Sequence, residues 1–262
     1  MDESVKKSII DRLSALEGKI GFAYKNLATG EYLEYNPHVV MRPASVMKLF
    51  VLTEAFRRFE EGTLDRDEMV TIPREECYPS CGAITYLHDN FTLTVHDLCV
   101  LMIILSDNTA TNYLINRLGM DNINSTIRAM GLENSAVNRC LWDAEAESRG
   151  IQNAATAYDT TRWLEMAWNG EIVSPKASAE MLSILKDQRL NGKIPFFIHA
   201  LDNARPIAHK TGEESHTTHD VGLIYADKPF IVSFMSNDTN VPPYERLMAD
   251  ISLELFNLNM EA

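Results

Sequence analysis

Apolar residues follow strand-like patterns only near the two ends of this chain, and the long stretch between them repeats at helical spacing. Near the start, residues 20–24 alternate, 26–30 have turn composition and 31–35 return as a second strand, which predicts a hairpin. Near the end, residues 207–211, 221–225 and 230–236 read as three short strands, followed by a helix from 244 to about 257. From Pro43 the period changes: Met47, Phe50, Val51, Glu54, Ala55 and Arg58 share helical spacing until Gly62. Further helices are predicted over 96–105, 109–117, 123–130, 157–167 and 175–186, and an amphipathic one near the N-terminus carries Ile9, Ile10, Leu13, Leu16 and Ile20.

Strands at both ends can meet only if the helical middle is inserted between them. The expected fold is therefore α/β in the segregated, α+β sense: one antiparallel sheet flanked by the terminal helices, plus an all-helical subdomain. We expect a single domain over 1–262, with residues 1–44 and 201–262 as the α/β subdomain and 45–200 as the helical one. The seam between them is the natural place for a ligand cleft.

Composition narrows the function classes. With 262 residues, of which 45% are apolar, the chain can bury one large core, and no low-complexity linker divides it. Lys and Arg total 24 against 37 Asp and Glu, a net charge of -13 that repels nucleic acids and acidic membrane surfaces. The three tryptophans, Trp142, Trp163 and Trp168, have no interleaved basic residues and read mostly as packing anchors. No Gly-rich phosphate loop follows a strand, so no nucleotide cofactor is expected. The first 20 residues lack the apolar core of a signal peptide, which predicts a cytoplasmic protein if Met1 is the native start and an exported one if a leader has been removed.

Metal and disulfide chemistry are not expected. Cys77, Cys81, Cys99 and Cys140 read as reduced thiols, and the first two lack the further ligands a zinc site needs. His209, His216 and His219 cluster, but no acid or thiol stands at ligand spacing beside them. His96, followed by Asp97, reads as part of a helix cap.

Three short motifs carry chemistry. Ser45-Val46-Met47-Lys48 sets a hydroxyl and an amine one helical turn apart, and a lysine partly desolvated in a buried helix can hold a neutral fraction that activates the serine. Ser106-Asp107-Asn108 follows between two helices, and Lys210-Thr211-Gly212 ends a predicted strand. Each is common alone; the ordered triple is specific.

In these motifs, and in the wider run Leu105-Ser106-Asp107-Asn108-Thr109-Ala110-Thr111-Asn112, the chain resembles the class A-like serine β-lactamases and penicillin-binding proteins over roughly residues 20–257. The resemblance implies a serine hydrolase that forms an acyl-enzyme with a small acyl substrate and needs no cofactor. It implies Ser45 as nucleophile, Lys48 as general base or proton relay, Ser106 as proton donor to the leaving nitrogen and Asn108 as the holder of the substrate amide. Lys210 would support the proton network and a substrate carboxylate, Thr211 would supply a hydroxyl, and Gly212 would leave room for ligand. The oxyanion would be held by the backbone N–H groups of Ser45 and Glu213. Cys81, with Tyr78 and Tyr86, would lie in the segment forming one cleft wall.

Two departures stand out. Glu213 adds negative charge where an anionic substrate is expected, unless it points outward or pairs with a base. The E-x-x-L-N segment that positions the hydrolytic water in class A enzymes is missing. Residues 138–150 replace it, with Asp143 closest to the expected acid and Glu145 and Glu147 as alternatives. The motifs thus allow β-lactam hydrolysis, a penicillin-binding or sensor-like protein that is acylated without rapid turnover, or an esterase or amidase for another acyl donor. A non-enzymatic interaction protein would keep the fold with an unreactive Ser45.

Overall fold

The computed structural model describes residues 1–79, 81–89 and 91–260. A first helix, α1 (Glu3–Ser14), leads into β1 (Lys19–Asn26) and β2 (Tyr32–Tyr35). Helices α2 (Lys48–Glu60), α3 (Val95–Ile104), α4 (Asn108–Leu118), α5 (Met120–Ala129), α6 (Ala144–Ser148), α7 (Ala157–Asn169), α8 (Pro175–Lys186) and α9 (Pro195–Ile198) follow, with a small hairpin, β3 (Met69–Thr71) and β4 (Thr92–Thr94), between α2 and α3. The chain returns through β5 (Ile207–Glu214), β6 (Thr217–Ile224) and β7 (Phe230–Asn237) to α10 (Val241–Leu258). Among the described residues no helix is long and apolar enough to cross a membrane.

The five long strands form one antiparallel sheet in the order β2-β1-β7-β6-β5. The first and last strands therefore pair in its middle, β1 against β7. Period-two alternation sends their side chains to opposite faces. Phe22, Tyr24, Phe230, Val232 and Phe234 join α1 and α10 on one face, whereas Ala23, Ile231 and Met235 join the helical core on the other. The cross-strand pair Phe22 and Phe234, with ring centroids 5.2 Å apart, anchors the α10 side. Each such buried ring contributes about 2–3 kcal/mol. Covering both faces explains why β6 and β7 are buried along their whole length.

The α2 helix runs through the middle of the helical core, with Lys48 and every residue from Leu49 to Phe56 buried. A helix buried on every side is a core element even where it carries polar residues such as Thr53 and Glu54, and the lysine at its first position is buried with it. The helix predicted from Pro43 starts differently from expectation: Ala44–Met47 form a 3₁₀ turn, and α2 proper begins at Lys48. In a 3₁₀ turn residues i and i+3 eclipse, so Ser45 and Lys48 stack one above the other more directly than in an α-helix. The short β3–β4 hairpin is not signalled in the sequence.

His96 is not a cap residue. Thr94 caps α3 in a reciprocal box with Asp97, and His96 instead reaches Glu180 at 3.0 Å. His209 lies between Asp220 at 2.9 Å and Asn191 at 3.0 Å. His219 donates Nε2–H to the Arg42 carbonyl at 2.9 Å and accepts the Ser236 N–H on Nδ1 at 3.0 Å, and burial lowers its pKa to about 3. A neutral ring is what those two bonds require.

Candidate active site

Gly212 on β5 lets the two subdomains close on each other. A Cβ there would lie 2.8 Å from the His219 ring and 2.9 Å from the Pro43 carbonyl, so only glycine admits the turn that carries Ser45 against β5. That contact sets the backbones around Ser45 and Glu213 side by side at one end of the cleft.

Three segments then converge on one buried polar cluster. Lys48 Nζ lies 2.7 Å from the Ser106 carbonyl, 3.0 Å from Ser106 Oγ and 3.0 Å from Asn108 Oδ1. From the sheet edge, Lys210 Nζ reaches the same Ser106 Oγ at 3.1 Å and the Thr211 carbonyl at 2.9 Å. Both lysines are fully buried. Burial first, and then the charge of Lys210, push the Lys48 pKa well below its ordinary value, and burial brings Lys210 down to about 7. An ammonium stripped of water is costly, so each amine gives up its proton more readily than in solution. As Lys48 loses its proton, the Ser106 hydroxyl can turn and donate to the amine while accepting from Lys210.

Local backbone geometry aims these groups. Ser106, at φ 54°, occupies a left-handed bend between α3 and α4, and Asp107 caps α4 through the Ala110 N–H at 3.0 Å. The other Asp107 oxygen accepts the N–H groups of Ala83 and Ile84 at 2.7 and 2.9 Å. Gly82 packs against that carboxylate so closely that any Cβ would clash. The Cys81 carbonyl accepts the Asn108 N–H at 3.2 Å, which fixes Cys81 on the rim.

The resulting cleft has a volume of about 670 Å³, and Ser45, Cys81, Asn108 and Glu213 are among the residues lining it. Glu213 is paired: Lys193 Nζ, nearly buried, holds its carboxylate at 2.8 Å. Lys193 stands far upstream, and no sequence signal links the two. The outer rim carries charges that no motif signals, Arg42, Arg139, Glu214 and Asp238. Burial raises the Glu214 pKa, while Arg139 and Arg42 act the other way.

The loop of residues 138–150 forms the remaining wall and differs from expectation. The Asp143 carboxylate accepts the Ala146 N–H at 2.9 Å as the cap of α6, and Asp143 is not among the cleft-lining residues. Leu141, Trp142 and Glu147 face the cleft instead. Leu141 is clamped by Asn112, which accepts its N–H and donates to its carbonyl, both at 2.8 Å. Glu147 lies 3.7 Å from Arg139, and Glu145, highly exposed, lies 3.9 Å from Arg149. Trp142 is 57% exposed and so is no packing anchor, unlike the fully buried Trp163.

A terminal sheet enclosing a helical subdomain, with a serine and two buried lysines meeting at their seam, defines the serine-hydrolase architecture shared by β-lactamases and penicillin-binding proteins. A model of the beta-lactamase enzyme family matches residues 4–258, and the chain belongs to that family. A β-lactamase of Rhodobacter capsulatus is 23% identical over 245 residues, covering 91% of this chain and 82% of that protein. The crystal structure of a β-lactamase from Sphaerobacter thermophilus superposes with a TM-score of 0.89 at 25% identity, covering 99% and 97% of the two chains. PBP-A superposes at 0.86 with 26% identity over 98% and 96%. A point mutant of PBP-A, seen as an acyl-enzyme complex with penicillin G, aligns equally well, at 0.86 and 26% over 97% and 96%.

Proposed function

We propose that this protein is a serine hydrolase that is acylated on Ser45 by small amides or esters, β-lactams among them, and that releases the acyl group slowly. The observation that carries the reading is the shared hydroxyl: one Ser106 Oγ within 3.0 and 3.1 Å of two buried lysines whose pKa values are both lowered. Neutral Lys48 takes the Ser45 proton as Oγ bonds to the carbonyl carbon, and the oxyanion is held by the N–H groups of Ser45 and Glu213. On collapse the C–N or C–O bond breaks, and the leaving atom takes a proton from Ser106 Oγ, which the lysine ammonium groups replace. Asn108 holds the donor's amide, and Thr211 faces its carboxylate. Lys193 offsets the charge that Glu213 would otherwise set against an anionic donor.

Slow release is favoured by the loop wall. Where a class A enzyme sets a glutamate against the hydrolytic water, this cleft has Leu141 and Trp142; Asp143 is committed to capping α6, and Glu147, which also lines the cleft, lies 3.7 Å from Arg139. The penicillin G complex of a PBP-A mutant supports β-lactams as donors. Intact-mass spectrometry with benzylpenicillin and a chromogenic cephalosporin tests this: the expected result is a lasting covalent adduct that Ser45→Ala abolishes. No adduct with several β-lactams would overturn the β-lactam part, and ester hydrolysis unaffected by Ser45→Ala would overturn the whole.

A further inference from the structure

Lys193, in the connection between α8 and α9, is a buried cation that the acylation chemistry itself does not use. Its ammonium donates to Glu213 Oε1 at 2.8 Å and to the His219 carbonyl at 3.2 Å, and Glu245 Oε1 on α10 lies 3.6 Å away. An ammonium has three donors, and here each has an acceptor to face, so the group is fixed rather than solvated. Its backbone is anchored as well. The next N–H, that of Ile194, donates to the buried Asp220 carboxylate at 3.0 Å, and Asn191 Oδ1 meets His209 Nε2 at 3.0 Å.

These ties converge on one strand pair. Gly212 and His219 face each other across β5 and β6, and Glu213 follows one residue before β5 ends. Strand ends open readily, and Gly212 has no side chain to pin, so the Glu213 carboxylate is the nearest anchor for its own N–H. On the other side, His219 Nε2–H donates to the carbonyl of Arg42, three residues before Ser45, at 2.9 Å. The continuous path Glu213–Lys193–His219–Arg42 therefore joins the two segments whose N–H groups the acyl-transfer reading aims at the oxyanion.

We infer that Lys193 is a positioning residue for acyl transfer: its ammonium ties β5 to β6 at Glu213 and so holds the Glu213 N–H at the spacing from the Ser45 N–H that an oxyanion requires. The inference rests on the acyl-transfer reading above. It goes beyond offsetting the Glu213 charge, because it applies equally to a donor that bears no charge. Oxyanion donors act through being fixed before the reaction, to within about 0.5 Å, so loosening one costs rate rather than binding.

The test uses two uncharged donors, phenyl acetate and O-phenyl thionoacetate, on the full chain. A larger, more weakly accepting sulfur gains less from the two N–H groups, so the ratio of oxygen-ester to thionoester acylation reads the oxyanion site itself. Lys193→Met is expected to lower kcat for phenyl acetate about tenfold with KM little changed, and to lower the oxygen/sulfur ratio in step, with Lys193→Arg restoring part of both. Glu213→Ala cuts the same tie from its 54% exposed end, without emptying a buried position, and is expected to lower the ratio as much. A ratio unchanged in both variants would overturn the inference, whatever the loss of stability. So would a loss in Lys193→Met that Glu213→Ala does not share, since the cause would then be the bare carboxylate charge. Failure of phenyl acetate, the thionoester and benzylpenicillin alike to modify Ser45 in the native protein would overturn the acyl-transfer reading and the positioning role with it.

Discussion

The two walls of the cleft are built on opposite principles. On one side, Asn108 lines the cleft, and it is backed by Lys48, Ser106 and Lys210, all buried, joined in one hydrogen-bonded network and drawn from three separate segments. On the other, residues 138–150 set Leu141 and Trp142 beside a charged pair, Arg139 and Glu147 3.7 Å apart, while Asp143 caps α6 and Glu145 reaches only Arg149 at 3.9 Å. Forming an acyl-enzyme and hydrolysing it are thus separable demands in this fold. The first needs dehydrated amines, which a core can supply; the second needs a carboxylate aimed at water, and in this loop Asp143 is turned to its helix cap while Glu147 lies beside Arg139.

The sharpest way to break the contrast is to remove the built wall. Lys48→Ala should lower the rate of Ser45 acylation about 10²–10⁴-fold, the usual loss for a general base, as read by the time course of adduct formation. An acylation rate within a few-fold of native would show that the buried amine does not take the serine proton.

Conversely, the bare wall can be furnished. Because Asn112 fixes the Leu141 backbone at the cleft, Leu141→Glu sets a carboxylate facing the acyl ester, and deacylation should accelerate by at least about tenfold with acylation little changed. Unchanged adduct lifetime would mean that something other than a missing carboxylate limits release.

The lysines titrate in a definite direction. Both pKa values are lowered, Lys210 to about 7, so acylation should rise with pH through an apparent midpoint belonging to the coupled pair. Lys210→Met removes the positive charge that helps to depress Lys48, so the rising limb should move to higher pH. Stability follows the same sign: a lysine at about 7 in the fold and near 10.5 when unfolded binds more protons unfolded across that window, so its contribution grows as pH rises from 7 to 10.5 and its penalty is full below 7. A limb that stays put in Lys210→Met would separate the two amines.

Asp143→Ala should have the smallest effect, costing about 1 kcal/mol in thermal or denaturant unfolding through the lost cap while leaving adduct lifetime unchanged. A markedly longer-lived adduct in this variant would return Asp143 to the role of water activator.

Much of this was legible in the sequence, and the contrast explains which part. Strands at both ends around a helical middle forecast the sheet, and the helix expected over 175–186 is α8, which starts at Pro175. The three motifs announced the buried wall because each couples reactive residues a few positions apart. The loop wall depends on partners far apart in sequence, such as Asn112 with Leu141, and no local pattern encodes them, just as none encodes the Lys193–Glu213 pair at the sheet edge. Asp143 had a readable signal, an aspartate before a short Ala/Glu run, which marks a helix start as well as an acid. The 3₁₀ turn bearing Ser45 was hidden because Ala44, not glycine, takes the left-handed φ of 44°.

The most direct test of the central claim is the intact mass of the protein followed over time after a brief exposure to benzylpenicillin and removal of the excess. One acyl group is expected to add to Ser45 quickly, to decay slowly and to be missing in Ser45→Ala. Rapid return to the unmodified mass with release of hydrolysed penicillin would contradict it.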